Sequence, residues 1–268
     1  MKTNNTEIQT KLDSQEFPEA LLCSSKQLFA SYADYPTELQ FPMHHHTACQ
    51  LLYASKGVMN VETDNGSWIV PESHAVWIPS EMNHKITASG HLTLRSLYLL
   101  PQIASSLPLE CTVVSVPSIL RELLIYAADF SMDYPFNSHE TRVMAIILDL
   151  LEDLERVPFL LPSPQDKRLV LITRHLLAEP NNKDTLSEWA SIVGTSGRNI
   201  SRLFKKETGL NFEQWRCQAR LMTSVQRLAS GDSVSTIAFD LGYSSVSTFI
   251  AMFKKRLGTT PAKYFKAR

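Results

Sequence analysis

The chain has 268 residues, 44% of them hydrophobic and 20% charged, and its 26 Lys+Arg nearly balance 27 Asp+Glu, the composition of an ordinary soluble globular protein. Cys23, Cys49, Cys111 and Cys217 lie scattered without a CxxC pair, which argues against a zinc finger or a disulfide framework. No run of about 18 apolar residues offers a membrane span, and the polar stretch 1–17 lacks a signal-peptide core, so the expectation is a cytoplasmic protein with no membrane partner.

The net charge of -1 conceals a split. Residues 1–164 hold 9 Lys+Arg and 19 Asp+Glu, giving -10, whereas 165–268 hold 17 and 8, giving +9. Such asymmetry predicts two domains with different partners, the basic one carrying the footprint expected for a polyanion such as nucleic acid.

In chain order, residues 1–16 are expected to be disordered. Short β-prone runs follow at 50–53, 57–62, 67–70, 75–78 and 92–100, punctuated by Lys56-Gly57, Asp64-Asn65-Gly66 and Pro79-Ser80. Evenly spaced strands with such turns predict a β-barrel or sandwich over 17–114. From Pro117 the period changes to 3 and 4 residues: Ile119, Leu120, Leu123, Leu124 and Ala127, then Val143, Ile146, Ile147, Leu150, Leu151 and Leu154. These are two amphipathic helices, the second from about 139 to 157, and they make 115–157 a helical region that packs on the barrel, forms a homodimer interface, or does both; Leu151 and Ile147 are the expected interface positions. Three prolines within 158–164 then predict a semi-rigid linker.

The basic domain, 165–268, contains an internal repeat. Leu186, Trp189, Ala190, Val193 and Gly194 match Val234, Ile237, Ala238, Leu241 and Gly242 at an offset of 48 residues; Ser196, Leu203, Phe204, Lys205, Lys206 and Gly209 then match Ser245, Met252, Phe253, Lys254, Lys255 and Gly258 at 49. Each unit reads as a short helix, a glycine turn and a Ser-capped second helix, which is helix-turn-helix grammar. Ile200, Leu203 and Phe204 form the buried face of the second helix, leaving Arg198, Ser201, Arg202 and Lys205 outward, near its N-terminus, where a recognition helix meets DNA.

These motifs closely resemble the AraC/XylS family of bacterial transcription regulators: Ser-Arg-Leu-Phe-Lys-Lys-Glu-Thr-Gly at 201–209, Phe212-x-x-Trp215-Arg216, Ile237-Ala238-x-x-Leu241-Gly242-Tyr243, Phe253-Lys254-Lys255 and Thr260-Pro261-x-x-Tyr264. The resemblance implies a seven-helix domain with helix-turn-helix units at about 185–207 and 233–257, joined by a helix at about 211–229, and double-stranded DNA read in successive major grooves about 34 Å apart. It places base-reading positions on Arg198, Ser201 and Arg202, and on Val246, Ser247, Ile250 and Ala251. Arg202 suits bidentate contact with guanine, so the first unit is expected to supply most specificity; Lys205, Lys206, Lys254 and Lys255 suit phosphates.

The N-terminal strands resemble a cupin. His44-x-His46, Gln50 and Gly57 follow the first cupin motif, and Gly66, Pro71, Pro79 and His84 the second. Cupins bind a divalent metal through three His and one Glu, so the resemblance implies His44, His46, Gln50 and His84 as ligands, with a neutral amide at the Glu position weakening the site. The alternative is a metal-free jelly roll around an effector pocket, for which Tyr53, Met59, Trp68 and Trp77 are candidates. The expected whole is an α+β chain: a cupin-like barrel with amphipathic helices, followed by an all-α domain with two helix-turn-helix units. Its expected function is DNA-binding transcription regulation, with the barrel sensing a small molecule or dimerising the chain and RNA polymerase as a partner at promoters. No catalytic residue is assigned; a cupin metalloenzyme fused to a DNA-binding domain, or a regulator with a purely structural cupin, are the alternatives.

Overall fold

The computed structural model describes residues 26–36, 39–72, 74–88, 90–157 and 159–264; the expectation of disorder at 1–16 lies outside them. The chain divides into two compact units, one built from residues up to Thr63 with Val70–Leu160, the other from Asp64–Ile69 with Leu161 onward. The architecture is α+β, as its sequence pattern implies.

The strands form two sheets. The first orders β1 (Leu28–Tyr35), β8 (Leu92–Leu99), β3 (Cys49–Lys56), β6 (His74–Ile78), β9 (Thr112–Ser115) and β10 (Arg156–Val157); the second orders β11 (Leu160–Pro162), β5 (Gly66–Pro71), β4 (Val58–Thr63), β7 (His84–Ala88) and β2 (Leu39–His44). Pairing is antiparallel, with Gln50 opposite both Ile78 and Tyr98, and His84 opposite both His44 and Thr63. Partners directly opposite share a face, so register alone assigns side chains to the two sides of each sheet. On one side of the first sheet lie Ser31, Gln50, Leu52, Ser96 and Tyr98; on the other lie Ala30, Leu51, Tyr53, Trp77 and Leu97.

That second side packs against α1 (Ser118–Ala127) and α2 (His139–Glu152), whose Leu120, Leu124, Met144, Ile147 and Leu151 join Leu51, Tyr53, Trp77 and Leu97 in one apolar core. The wide stripe of α2 is therefore divided. Ile147 and Leu151, the expected dimer contacts, are fully or nearly buried within their own chain, while Ile146 is 47% exposed, as is Ile119 of α1 at 59%. Adjacent residues on a helix stand about 100° apart, so Ile146 and Ile147 cannot face the same neighbour. The second helix ends at Glu152 rather than near 157, and Arg156–Val157 leaves it as a strand. Within the proline-rich segment Phe159 and Leu161 are buried, and Leu160–Pro162 is an edge strand, a position where proline's missing N–H costs no ladder bond.

The second unit holds seven helices among its described residues: α3 (Lys167–Ala178), α4 (Leu186–Ile192), α5 (Gly197–Thr208), α6 (Phe212–Ala229), α7 (Val234–Asp240), α8 (Val246–Leu257) and α9 (Pro261–Tyr264). Side chains cap the repeat identically. Thr185, Ser196, Ser233 and Ser245 each accept from the backbone N–H three residues on, and Thr185 closes a capping box with Glu188. Between the helices of each pair the chain turns through a left-handed glycine, Gly194 (φ +67°) and Gly242 (φ +79°). Trp189, Ile200 and Phe204 bury the first pair; Ile237, Phe249 and Phe253 bury the second.

Candidate functional site

Three histidines meet at one end of the barrel. His44 ends β2, His84 begins β7 directly opposite it, and His46 follows in the loop after β2, so their ligand-capable nitrogens lie within 4.8 Å of one another. Each ring is held from behind. The Nδ1 atoms of His44, His46 and His84 lie 2.8, 2.7 and 2.8 Å from the carbonyls of Pro42, Ala48 and Met82. A carbonyl only accepts, so each Nδ1 carries the proton and each Nε2 lone pair faces the cluster. Burial holds His46 below the usual imidazole value and His84 down to about 3, leaving both neutral, the form that ligates metal. The Nε2 of His84 is buried and meets no hydrogen-bond partner among the described residues.

Gln50 completes this group. Its Nε2 donates to the Tyr98 hydroxyl at 3.0 Å and lies 3.5 Å from Ser96 Oγ, which turns Oε1 to 3.2 Å from His46 Nε2. Two acceptors then face each other across a gap that a cation would relieve. The reversed amide would instead hand His46 an N–H and satisfy that pair without an ion, but it leaves His84 Nε2 unpartnered. Orphaned nitrogen, converging lone pairs and carbonyl-anchored rings together fit a divalent metal held by His44, His46, Gln50 and His84. Burial pushes the Tyr98 phenol up to about 12. His45, between two of the ligands, points outward, 58% exposed and 3.9 Å from Glu81.

The effector-pocket candidates do not come together. Met59 shares a face with Val61, Thr63 and His84, and Trp68 is buried on β5. Tyr53 and Trp77, however, lie on the helix-covered side of the first sheet, where Trp77 donates to the Pro108 carbonyl at 2.7 Å. The polar companions of Gln50 on the inner side are Ser31, Ser96 and Tyr98. Only the β1–β8–β3 register reveals them, since no motif marks these positions.

In the second unit α5 turns Ile200, Leu203 and Phe204 inward and leaves Arg198, Ser201, Arg202, Lys205 and Lys206 exposed. Arg202 Nη2 rests 3.1 Å from Asn199 Oδ1, a neutral partner that a guanine edge can displace. Lys205 lies in the last turn, not near the N-terminus, and donates to the Gly209 carbonyl at 2.7 Å; a positive charge is favoured at that end by the exposed carbonyls of the helix. On α8 Ser247, Ala251, Lys254 and Lys255 are exposed, while Val246 and Ile250 are half-buried. Thr248 is exposed on the same helix and joins this face, although the sequence motifs do not mark it; Arg256 is exposed too but lies about 140° round the helix from Ala251.

What fixes one helix pair against the other is a set of arginines on α6. Arg220 donates to the carbonyls of Pro180 (2.7 Å) and Asn182 (3.1 Å), just before the first pair, and stacks over Tyr243 of the second. Arg227 binds Asp232 at 2.6 Å and Asp240 of α7 at 2.8 Å. Their roles are invisible in the repeat, because α6 lies outside it.

Residues 26–163 match the family described as AraC-like ligand binding domain, and 189–267 match a helix-turn-helix domain. The HTH-type transcriptional regulator NimR of Escherichia coli K12 is 33% identical over 227 residues, 85% of this chain and 83% of that one. The HTH-type transcriptional regulator RipA of Corynebacterium glutamicum is 33% identical over 104 residues, 39% of this chain and 31% of its own. A solved structure of ToxT from Vibrio cholerae aligns with 89% of this chain and 98% of that one, at 11% identity and a TM-score of 0.38.

Proposed function

Because the chain belongs to the AraC-type family of helix-turn-helix transcription regulators with an AraC-like ligand-binding domain, we propose that α5 and α8 read operator DNA under the control of a ligand held in the barrel. The observation that carries this reading is the doubled helix pair, each copy Ser-capped and glycine-turned, presenting exposed Arg198, Arg202, Lys254 and Lys255 and tied together by Arg220 and Arg227. Cations on one face attract phosphates without sequence preference, and a fixed spacing between two helices supplies register on the duplex. Arg198, Ser201 and Arg202 contact bases in the first unit; Ser247, Ile250 and Ala251 offer only small or apolar contacts in the second.

In the barrel, His44, His46, His84 and the Gln50 carbonyl hold a divalent metal, which supplies a Lewis-acidic point to which an effector can bind. The centre serves sensing rather than catalysis: the polar groups beside Gln50 are a phenol held protonated by burial and a serine, neither a base at neutral pH. The exposed Ile119 and Ile146 belong to a homodimer contact that brings two DNA-binding units to paired half-sites. Among the described residues no helix is long and apolar enough to cross a membrane, and we place the protein in the cytoplasm, acting with RNA polymerase at target promoters.

The test is to crosslink the protein to the genome, sequence the bound fragments, and measure affinity for a recovered site against a scrambled one at fixed salt. A preference of about 10³-fold or more is expected; equal affinity for both would overturn the reading.

A further inference from the structure

We propose that the effector of this barrel is a small anion, taken up by the cation that His44, His46, Gln50 and His84 hold; the inference rests on the metal reading above and adds the ligand's charge class. A histidine ligates a metal only as the neutral imidazole, so the three converging histidines bring no charge, and the fourth donor is an amide where a carboxylate would have cancelled one positive charge. A divalent ion on these donors keeps its full charge in a setting where Gln50 is 4% and His84 0% exposed. Charge buried without compensation is costly, and the local remedy is a counter-ion bound beside it.

Among the described residues, the inner face of the first sheet supplies no counter-charge but does supply hydrogen-bond donors. The inner-face residues in register with this site on the first sheet, Phe29, Ser31, Leu52, Val76, Ile78, Ser96 and Tyr98, are all uncharged. Ser31 stands directly opposite Ser96 on the neighbouring strand, and Ser96 Oγ lies 3.5 Å from Gln50 Nε2. The Ser31 hydroxyl is buried, at 3% residue exposure, and meets no partner among the described residues. A buried O–H without an acceptor points to something that supplies one, and an anion does so while neutralising the ion. Two unpartnered polar atoms, Ser31 Oγ on the first sheet and His84 Nε2 on the second, thus have opposite needs, an acceptor and a Lewis acid.

The experiment loads the full chain with cobalt(II), whose visible absorption reports its ligands, and titrates it with azide, acetate and, as the neutral comparator, imidazole. Azide or acetate should change the spectrum and bind about tenfold or more tightly than imidazole. In Gln50→Glu cobalt should bind more tightly, yet both anions should weaken by about tenfold or more, since like charges a few ångströms apart repel at the effective dielectric of a protein site. Ser31→Ala should weaken the anions by about tenfold, the worth of one hydrogen bond to a charged group. Cobalt uptake without anion preference, or unchanged anion affinity in Gln50→Glu, overturns the anion inference and leaves the metal reading standing. Failure of the wild-type chain to take up cobalt overturns both. If Gln50→Glu does not fold, the comparison of anions with imidazole on the wild type decides alone.

Discussion

Gly194 and Gly242 occupy matched turns in the two helix pairs, both left-handed, yet their surroundings differ. A Cβ on Gly194 would meet nothing within 4 Å; one on Gly242 would stand 3.0 Å from Asn181 Cα, 3.1 Å from its carbonyl oxygen and 3.4 Å from Arg220 Nη2. Alanine at either site incurs the left-handed penalty of about 1–2 kcal/mol. At Gly242 the methyl also presses on backbone that Arg220 pins through Pro180 and Asn182, an overpacking cost of about 1–3 kcal/mol. Asparagine separates the two contributions, because it tolerates the left-handed region but still carries a Cβ. Gly194→Asn should cost about 0.5 kcal/mol or less and Gly194→Ala about 1–2, while Gly242→Asn should cost about 1–3 and Gly242→Ala about 2–5. Urea unfolding followed by the helical circular dichroism signal measures these costs. Fluorescence anisotropy with a labelled operator measures the functional consequence: Gly242→Asn, still folded without urea, should bind less tightly, because the Gly242–Asn181 approach sets the spacing between the helix pairs. Equal costs at the two glycines, or a neutral Gly242→Asn, would refute this reasoning.

Arg202→Ala should lose about 1–3 kcal/mol on the specific site and relax preference at one base pair, whereas Lys205→Ala, already bonded to its own helix end, should weaken specific and random DNA alike; titrations on both DNAs decide, and identical behaviour of the two variants contradicts the assignment. Ile146→Glu should change stability by less than about 0.5 kcal/mol yet yield a monomer by sedimentation, while Leu151→Glu should cost about 3–5 kcal/mol by placing a charge in the core; a dimeric Ile146→Glu refutes the exposed-face contact. Burial pushes Cys111, Tyr98 and Tyr243 up to about 12 from ordinary values of 9.0 and 10.0. The unfolded chain therefore loses these protons first, and stability present below pH 9 should fall steadily as pH climbs toward 12. Urea midpoints across that range test it, and a flat profile counts against it.

The second unit was largely legible in the sequence because helical periodicity survives one-sided burial: Ile200, Leu203 and Phe204 recur on one face, and capping serines mark each start. The charge split and the four metal-ligand candidates were equally local, since His44 and His46 sit at one strand end and the cupin-like spacing places His84 nearby. Tertiary structure alone decided which side of a doubly covered sheet each residue faces. All six residues from Cys49 to Ala54 are buried, so the polar–apolar alternation that would reveal sidedness is absent, and Tyr53 was indistinguishable from a lumen residue until pairing placed it on the side that α1 and α2 cover. For the same reason Ser31 and Ser96 carried no signal in the sequence, and the partners of Arg220 and Gln50 emerged only when residues about 40 and 48 positions away closed on them. Sequence sets what each segment can bury; the packing of segments distant in the chain determines against what.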